Sequence, residues 1–299
     1  MVEVVECVPN FSEGRRPEVV EALAQAIASV EGVQLLDREM DASHNRSVIT
    51  FIGSRAAVAE AAFQGAKKAV ELIDMNLHRG EHPRIGALDV LPFVPIAGVA
   101  MEACVALARE VGQRIAEELQ VPVYLYARAA TRPDRRILAD IRRGEYEGLK
   151  SEIETVPDRR PDFGPARLHP TAGAIAVGAR PILIAWNVNL ATTDLGLAKR
   201  IAKEIRESDG GFPAVQAKGF ELKDKGLVQV SMNALDYRAT NLVTVFDAIK
   251  ARAAAAGVGI AGTEIVGLIP LDALLDAANA YFHLKDFQRG QILEARLWE

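Results

Sequence analysis

Cysteine is scarce in this sequence, and concentrated positive charge is missing from it. Only Cys7 and Cys104 occur among the 299 residues, which excludes a disulfide framework and any C-x-x-C metal or redox motif. The net charge is -5, and the lysines and arginines are interleaved with acids, so no basic stripe is available for a nucleic acid. We therefore expect a protein that acts on small molecules in a reducing compartment, the cytoplasm.

Long apolar runs are also missing. The most apolar region, residues 174–186, is interrupted by Gly178, Arg180 and Pro181, and it falls short of the ~20 apolar residues that a membrane-spanning helix needs. The N-terminal residues are acidic and lack the basic and apolar segments of a signal peptide. We expect a protein that is neither inserted in a membrane nor secreted.

Several familiar catalytic motifs do not occur. The sequence contains neither the phosphate-binding pattern GxxxxGK[ST] nor the serine-hydrolase pattern GxSxG. Residues 257–262 do spell GxGxxG, but they follow a predicted helix and enter a predicted strand. A dinucleotide site needs the opposite order, so we interpret this stretch as the end of a helix.

The spacing of apolar residues predicts the element order β-α-β-β-α-β twice along the chain. Strands are predicted at 2–8, 33–36, 47–52, 88–96, 181–188, 214–220, 227–232 and 259–266, with helices near 17–30, 56–73, 195–205 and 240–256. Between the two halves we expect a helix at 101–119, a strand at 121–126, a helical segment at 135–142 and irregular chain at 151–170. Pro92 and Pro95 suggest that the fourth strand is an edge strand or carries a bulge, and Asp236 or Thr240 is expected to start the helix at 240–256.

This order predicts an α+β protein of two ferredoxin-like lobes, residues 1–179 and 180–299. Each open sheet would carry helices on one side and leave its other face bare. Facing sheets would then enclose a cleft for an extended ligand.

The strongest candidate for chemistry is the polar stretch MNLHRGEHPRIGALD, residues 75–89, between a predicted helix and a predicted strand. Loops at such positions often carry function, and histidine is the side chain best suited to proton transfer near neutral pH. His82 is therefore the candidate general acid or base. The alternative is a solvated histidine in a polar loop.

The same stretch also fits the zinc motif H-x-x-E-H through His78 and His82. That motif requires both histidines on one face of a helix. Gly80 disfavours a helix here, and Pro83 drives His82 towards an extended conformation. A zinc-dependent hydrolase is therefore the weaker alternative, and we expect no metal.

A second candidate is the charged turn at residues 37–46, between two predicted strands. If the fold brings it beside His82, one of its carboxylates could fix the tautomer of the imidazole and raise its basicity. The alternative is an ordinary hairpin loop.

A third candidate is residues 162–174, which follow the proline-rich stretch between the lobes, a place where ligand clefts tend to form. Phe163 could stack on a planar ring, and Arg167 could bind a carboxylate. The alternative is a plain linker.

Several blocks of the sequence, taken in order, resemble the glutamate formimidoyltransferase family. The blocks are VECVPNFSEG (5–14), GEHPRIGALDV (80–90), ELQVPVYLY (118–126), PDFGP (161–165), NVNL (187–190) and VGLIPLDA (266–273). They extend over nearly the whole chain, which makes the resemblance far more specific than any single motif.

The resemblance implies two ferredoxin-like lobes, a folate cleft between them, a homodimer and no cyclodeaminase portion. The catalytic histidine of the family falls on His82, and an acid proposed to assist it falls on Glu39. The folate-associated segment falls on residues 163–172, and its members here include Phe163, Gly164, Pro165, Arg167, His169 and Thr171. Residues 166–169 depart from the family pattern.

The implied reaction moves a formimino group from N-formimino-L-glutamate to N5 of tetrahydrofolate, the co-substrate. Both substrates carry carboxylates, for which Arg46, Arg84 and Arg167 are candidates. Two other readings remain open at this stage. One is a related folate reaction that uses N-formylglutamate or 5-formyltetrahydrofolate, and the other is a folate-binding module without catalysis.

Overall fold

The computed structural model describes residues 3–284 and 287–297. The chain forms two compact units, Met1–Pro181 and Ile182–Glu299. Each unit combines helices with one sheet, so the predicted α+β class is confirmed. The lobe boundary after residue 179 and the facing of the two sheets stay predictions.

The first unit contains a mixed sheet and the helices that cover it. Its strands are β1 (Val4–Cys7), β2 (Asn10–Phe11), β3 (Val33–Asp41), β4 (Arg46–Gly53), β5 (Leu88–Ala97), β6 (Val123–Ala127) and β7 (Ile175–Ala179). Its helices are α1 (Pro17–Ala28), α2 (Arg55–Leu72), α3 (Met101–Leu119), α4 (Leu138–Ile141) and α5 (Glu145–Glu152), with 3-10 turns at Pro133–Arg135 and Pro157–Arg159. The predicted β-α-β-β-α-β order is present from β1 to β5.

The sheet of the first unit extends beyond this repeat. Both β1 and β2 pair with β4 on one side and β5 on the other, and β3 pairs with β4. Strand β7 then adds in parallel to β5, and β6 adds in parallel to β7. We had not predicted β7, because its residues were interpreted only as an apolar region.

Strand β5 lies in the interior of this sheet. Pro92 is opposite Gly178 of β7 and Pro95 is opposite Val5 of β1, so the expectation of an edge strand is wrong. The alternative, an irregularity, fits better: Val4 and Val5 pair with Ala97 and Pro95, and the register skips one residue of β5 between them. That irregularity accommodates a proline that cannot donate a ladder hydrogen bond.

The two faces of this sheet are covered differently. Helices α1, α2 and α3 bury one face in a core that includes Phe11, Phe51 and Phe93. On the other face, the chain around α4 and α5 packs over β5, β6 and β7 and buries Tyr124 and Tyr126. At the N-terminal ends of β2 and β4, that face carries the polar side chains of Asn10 and Arg46, which belong to the site described below.

The second unit is a four-stranded antiparallel sheet with the order β11-β8-β10-β9. The elements are β8 (Ile184–Leu190), α6 (Leu195–Ile205), β9 (Val215–Leu222), β10 (Leu227–Ala234), α7 (Leu242–Ala255), β11 (Ile260–Val266) and α8 (Leu271–Phe282), with 3-10 turns at Glu207–Asp209, Lys223–Lys225, Arg289–Gln291 and Glu294–Leu297. The second β-α-β-β-α-β series is therefore present from β8 to β11.

Helix α7 begins at Leu242, two residues later than the predicted helix at 240–256. The side chain of Asn241 accepts a hydrogen bond of 2.8 Å from the backbone of Thr244, so Asn241 is the N-cap in place of Asp236 or Thr240. Gly257 follows the helix with a φ of 72°, which agrees with the interpretation of the GxGxxG stretch as a helix end. Within residues 3–284 and 287–297, no helix is long and apolar enough to cross a membrane.

Candidate active site

Backbone hydrogen bonds join two of the candidate segments, although about 90 residues separate them in sequence. The backbone of Met75 donates to the carbonyl of Thr171 at 2.7 Å, and that of Ala87 donates to Ala172 at 2.8 Å. The backbone of Ala174 returns a bond of 3.0 Å to Ile85. The loop at 73–87, which we call the His82 loop, is thus fixed to the segment predicted to bind folate.

The charged turn between β3 and β4 lies against the same loop. His78 donates from Nε2 to the carbonyl of Asn45 at 2.9 Å, and the amide of Asn45 donates to the carbonyl of Arg79 at 3.0 Å. Gly80 lies so close to this turn that a Cβ there would be 2.2 Å from the carbonyl oxygen of His44. All three candidate segments therefore meet at the His82 loop.

His82 is half-buried, and its Nδ1 has two partners of opposite kind. The carbonyl oxygen of Pro83 lies 2.7 Å away and can only accept a hydrogen bond, whereas Nη1 of Arg46 lies 3.1 Å away and can only donate one. When Nδ1 carries the proton, it donates to Pro83 and leaves a lone pair on Nε2. When Nδ1 is deprotonated, it accepts from Arg46 and Nε2 carries the proton.

Arg46 belongs to a buried ion cluster centred on Asp89, which is fully buried at the start of β5. One oxygen of Asp89 accepts the backbone N–H of Ile85 at 2.9 Å. The other oxygen accepts from Nη1 of Arg46 at 3.1 Å and from Nη2 of Arg142. Asn10 accepts from the second terminal nitrogen of Arg46. We call Arg46, Asp89 and Arg142 the arginine cluster.

The arginine cluster controls the charge of His82. Burial, together with the positive charges of Arg46 and Arg142, lowers the pKa of His82 to about 3, so the ring is neutral at physiological pH. The pKa of Arg46 is lowered to about 10, because burial and the neighbouring Arg142 lower it more than Asp89 raises it. The site is a neutral imidazole beside two guanidinium groups.

A second histidine lies next to His82. The rings of His44 and His82 are 6.1 Å apart in an edge-to-face arrangement, and Nδ1 of His44 is 2.8 Å from a carboxylate oxygen of Asp41. The turn thus brings the carboxylate of Asp41 into this region, but Asp41 contacts the ring of His44 and not that of His82. Glu39 lies opposite Val48, and strand alternation places it on the same sheet face as Arg46.

Arg84 has its donors engaged within the protein. Its guanidinium binds the carboxylates of Glu145 and Glu147 at 2.6–2.8 Å, and its Nε donates to Nδ1 of His78 at 3.3 Å. Arg84, Glu145 and Glu147 line an open cavity of about 490 Å³, together with Gly80. Arg84 therefore holds the His82 loop to the start of α5.

The predicted folate segment lines a second cavity, of about 340 Å³. Its lining residues are Gln120, Pro165, Arg167, Leu168, His169 and Pro170. Phe163 is half-buried against the core of the first unit, and Gly164 beside it has a φ of 86°. Nδ1 of His169 accepts the backbone N–H groups of Thr171 and Ala172 at 3.3 and 3.0 Å, which fixes its ring.

The geometry around His78 does not suit a metal. Both of its ring nitrogens are engaged, since Nε2 donates to Asn45 and Nδ1 accepts from Arg84, and the residue lies outside any helix. Among the residues that the structure describes, no group of three or more histidine, cysteine, aspartate or glutamate side chains could hold a metal ion.

Three members of the site were not identified from the sequence: Asn10, Asp89 and Arg142. Asp89 carried a signal, because it is a lone acid among the apolar residues 87–94 and a fully buried acid requires a partner. Arg142 carried none, since it is one of two consecutive arginines in a polar stretch. Its pairing with Asp89 joins positions 53 residues apart.

Comparison with known proteins places the chain in a class of α+β transferases. Residues 4–180 match the formiminotransferase domain, N-terminal subdomain, and residues 185–295 match the formiminotransferase domain. The chain belongs to the formiminotransferase family.

Relatives in distant organisms are similar over the full chain. Over 298 residues the chain is 51% identical to a glutamate formimidoyltransferase of Thermoplasma acidophilum, covering 99% of this chain and 98% of that protein. A glutamate formimidoyltransferase of Streptococcus pyogenes is 46% identical, with 99% of both chains covered. The formimidoyltransferase-cyclodeaminase of Mus musculus is 48% identical over 309 residues, which is 99% of this chain and 57% of that longer protein.

Proposed function

We propose that this protein transfers the formimino group of N-formimino-L-glutamate to N5 of tetrahydrofolate, which yields 5-formiminotetrahydrofolate and glutamate. The observation that carries the proposal is 51% identity to a glutamate formimidoyltransferase over 99% of the chain. Both substrates are small molecules, and tetrahydrofolate is a co-substrate.

The chemistry needs one group that accepts a proton and then donates it. N5 attacks the amidine carbon to form a tetrahedral adduct, N5 then loses its proton, and the glutamate nitrogen gains one as it departs. His82 fills this role when Nδ1 donates to the carbonyl of Pro83, 2.7 Å away, because Nε2 then carries the lone pair. Holding both substrates in place contributes ~7–11 kcal/mol, and one general base contributes ~10²–10⁴-fold in rate.

Glu39 is proposed as the acid that assists His82. It lies on the same sheet face as Arg46, whose guanidinium contacts the imidazole at 3.1 Å. A carboxylate there would stabilise the imidazolium that forms when N5 loses its proton. We expect Glu39→Gln to lower kcat with little change in the KM for either substrate, and Glu39→Asp to retain part of the rate. Equal kcat values for Glu39→Gln and the wild-type protein would remove Glu39 from the mechanism.

The segment at 163–172 is proposed to bind tetrahydrofolate. It lines the 340 Å³ cavity, and its backbone hydrogen bonds tie it to the His82 loop. Exposed Arg167 suits a folate carboxylate, and Pro165 and His169 line the cavity beside it. Phe163, Gly164 and Thr171 lie in the same segment and are proposed to contribute to folate binding. Arg167→Gln should raise the Kd for tetrahydrofolate, and Arg160→Gln, which removes the same charge from a nearby exposed site, should not. Equal Kd values would place folate elsewhere.

The test of the function is a direct assay of donors. Purified protein is incubated with tetrahydrofolate and either formiminoglutamate or N-formylglutamate, and the 5,10-methenyl product is followed after acidification. The proposal expects turnover with formiminoglutamate and little with the formyl donor. Preference for N-formylglutamate or for 5-formyltetrahydrofolate would assign the related formyl reaction, and folate binding without turnover would leave only a binding module.

We further propose that the protein works as a homodimer in the cytoplasm, without nucleic acid or membrane partners. The two free cysteines are buried, as in proteins of reducing compartments. Light scattering on the eluted protein would test the dimer, and a molecular mass near 32.3 kDa, the mass of one chain, would contradict it.

A further inference from the structure

The arginine cluster distributes one negative charge between two positive ones. The same carboxylate oxygen of Asp89 contacts both Arg46 and Arg142, so Asp89 neutralises only one of the two guanidinium groups. Both arginine side chains are largely withdrawn from water, at 15% and 13% exposure. A partly buried positive charge without its own counter-ion is costly, and an anionic ligand would relieve that cost.

Arg142 has an N–H group that could donate a hydrogen bond to such a ligand. Its Nη2 is engaged with Asp89, but its Nε is buried and has no hydrogen-bond partner among the described residues. Buried donors are normally paired, so an unpartnered N–H in the arginine cluster requires an explanation, and an acceptor on a ligand would supply one. The position is rigid, because Arg142 directly follows α4 and its backbone N–H bonds to the carbonyl of Leu138.

We propose that Arg142, with Arg46 beside it, binds the α-carboxylate of the formimino donor and so positions the amidine carbon at His82. The proposal rests on the function proposed above and adds the residue that recognises the donor. A carboxylate is planar and has two acceptor oxygens, which suits a guanidinium through paired, charge-assisted hydrogen bonds.

Distances within the cluster favour this carboxylate over those of folate. Arg46 contacts His82 at 3.1 Å, so an anion held between the two arginines lies next to the imidazole. In formiminoglutamate the α-carboxylate carbon is two bonds from the nitrogen that leaves, and it must therefore be close to the reacting atoms. The folate carboxylates are separated from N5 by the whole p-aminobenzoyl group, which is too long for this position.

The experiment compares Arg142→Gln with Arg143→Gln, a neighbouring exposed arginine that loses the same charge. We expect Arg142→Gln to lower kcat/KM for formiminoglutamate by about 10- to 100-fold, the effect of losing a hydrogen bond to a charged group, and Arg143→Gln to leave it unchanged. Arg142→Lys keeps the charge without the planar pair and should retain part of the activity. Because Asp89 keeps Arg46 as a partner in Arg142→Gln, the fold should survive, which circular dichroism checks.

Truncated donors identify the carboxylate. N-formimino-4-aminobutyrate lacks the α-carboxylate, and the difference between wild type and Arg142→Gln should vanish with it. N-formimino-2-aminobutyrate lacks only the γ-carboxylate, and the difference should persist. The opposite pattern, or a difference that disappears when 6-methyltetrahydropterin replaces tetrahydrofolate, would overturn the proposal by assigning the γ-carboxylate or a folate carboxylate.

Binding of L-glutamate, the product, gives a readout that does not depend on turnover. Calorimetric titration should show a Kd about 10- to 100-fold higher for Arg142→Gln than for wild type or Arg143→Gln. Equal Kd values would refute the role of Arg142 even if formimino transfer is observed. Conversely, if the wild-type protein shows no formimino transfer but Arg142 governs glutamate binding, the proposed reaction fails and the carboxylate site stands.

Discussion

Nη1 of Arg46 lies 3.1 Å from Nδ1 of His82, and the same nitrogen lies 3.1 Å from the carboxylate of Asp89. This contact connects His82, the proposed proton-transfer residue, to a buried acid through the guanidinium of Arg46. It also places a permanent positive charge beside the imidazole, which disfavours the imidazolium until another anion arrives. The structure thus links the charge state of His82 to what the neighbouring arginines bind.

Replacement of His82 should slow the reaction without preventing substrate binding. We expect His82→Ala to lower kcat by ~10²–10⁴-fold, the usual contribution of one general acid–base group. The segment proposed to bind folate retains its backbone hydrogen bonds to the loop, so the Kd for tetrahydrofolate should change little. Steady-state kinetics measure kcat, and fluorescence titration measures the Kd for tetrahydrofolate. His283→Asn, at the exposed end of α8, serves as the control. Near wild-type turnover in His82→Ala would exclude His82 from the mechanism.

The titration of His82 should be displaced far from that of an ordinary histidine. Burial, Arg46 and Arg142 lower its pKa to about 3, whereas Asp89 and the Pro83 carbonyl oppose this shift. In NMR spectra of ring-labelled protein, the His82 signals, assigned by their loss in His82→Ala, should not titrate between pH 8 and pH 5. A His82 signal that titrates within this range would contradict the shift.

The sign of the corresponding stability effect follows from the same shift. The unfolded chain protonates His82 near pH 6.5, whereas the folded protein does so near pH 3, so the unfolded state binds more protons between these values. His82 therefore favours folding above pH 6.5 and loses this effect as the pH falls towards 3.

Saturating L-glutamate should raise the pKa of His82, because the negative charge of a bound carboxylate offsets the positive charges of the two arginines. A pKa unaffected by glutamate would show that the anion binds elsewhere.

Local patterns were sufficient to find the repeated element order and the loop that carries His82. Apolar periodicity locates the strands, and a polar segment between a helix and a strand marks the loop. Ion pairs between residues far apart in the sequence produce no such local pattern. The ion pair of Asp89 with Arg142 and the engagement of Arg84 by Glu147 join residues 53 and 63 positions apart, and both depend on where α4 and α5 cross the sheet.

The same limit explains why an edge position was one of the two alternatives predicted for the strand at 88–96, which is β5. Two prolines indicate an edge when the sheet has only the strands of the repeat, because each lacks a donor for a neighbour. The structure adds β7 in parallel on that side, with Pro92 opposite Gly178. Tyr126 packs against Gly178, where a Cβ would lie 2.5 Å from its ring, so the extension depends on side-chain fit that spacing alone does not encode.

Removal of the charge at Asp89 should destabilise the first unit and disable the site. In Asp89→Asn two buried guanidinium groups lose their shared counter-ion, for which we expect a loss of about 3–5 kcal/mol in the free energy of unfolding at pH 7. Burial alone would raise the pKa of Asp89, but Arg142, Arg46 and the Ile85 N–H lower it below 3.8. The stabilisation is therefore present above pH 3.8 and is lost as the pH falls through the folded pKa.

Urea unfolding at several pH values measures this difference. The gap between wild type and Asp89→Asn should be largest near neutral pH and should shrink in acid. Asp158→Asn removes an acid whose side chain is 78% exposed and should change stability by less than about 0.5 kcal/mol. A gap that does not depend on pH would mean that Asp89 stabilises through packing and not through its charge.

Gly80 fixes how closely the His82 loop approaches the turn between β3 and β4. A Cβ at this position would be 2.2 Å from the carbonyl oxygen of His44 and 3.0 Å from the Cβ of Asn45, so Gly80→Ala must push the loop away from the turn. Overpacking of this kind costs about 1–3 kcal/mol. The displacement also separates His82 from Arg46, so we expect kcat to fall by a larger factor than the KM for either substrate changes.

The matched control is Gly148→Ala in α5. A Cβ at that position meets nothing within 4 Å, so this substitution should leave both stability and kcat intact. If Gly80→Ala retained full kcat, the position of His82 would not depend on its contact with the turn, and the role assigned to the His44–Asn45 turn would fail.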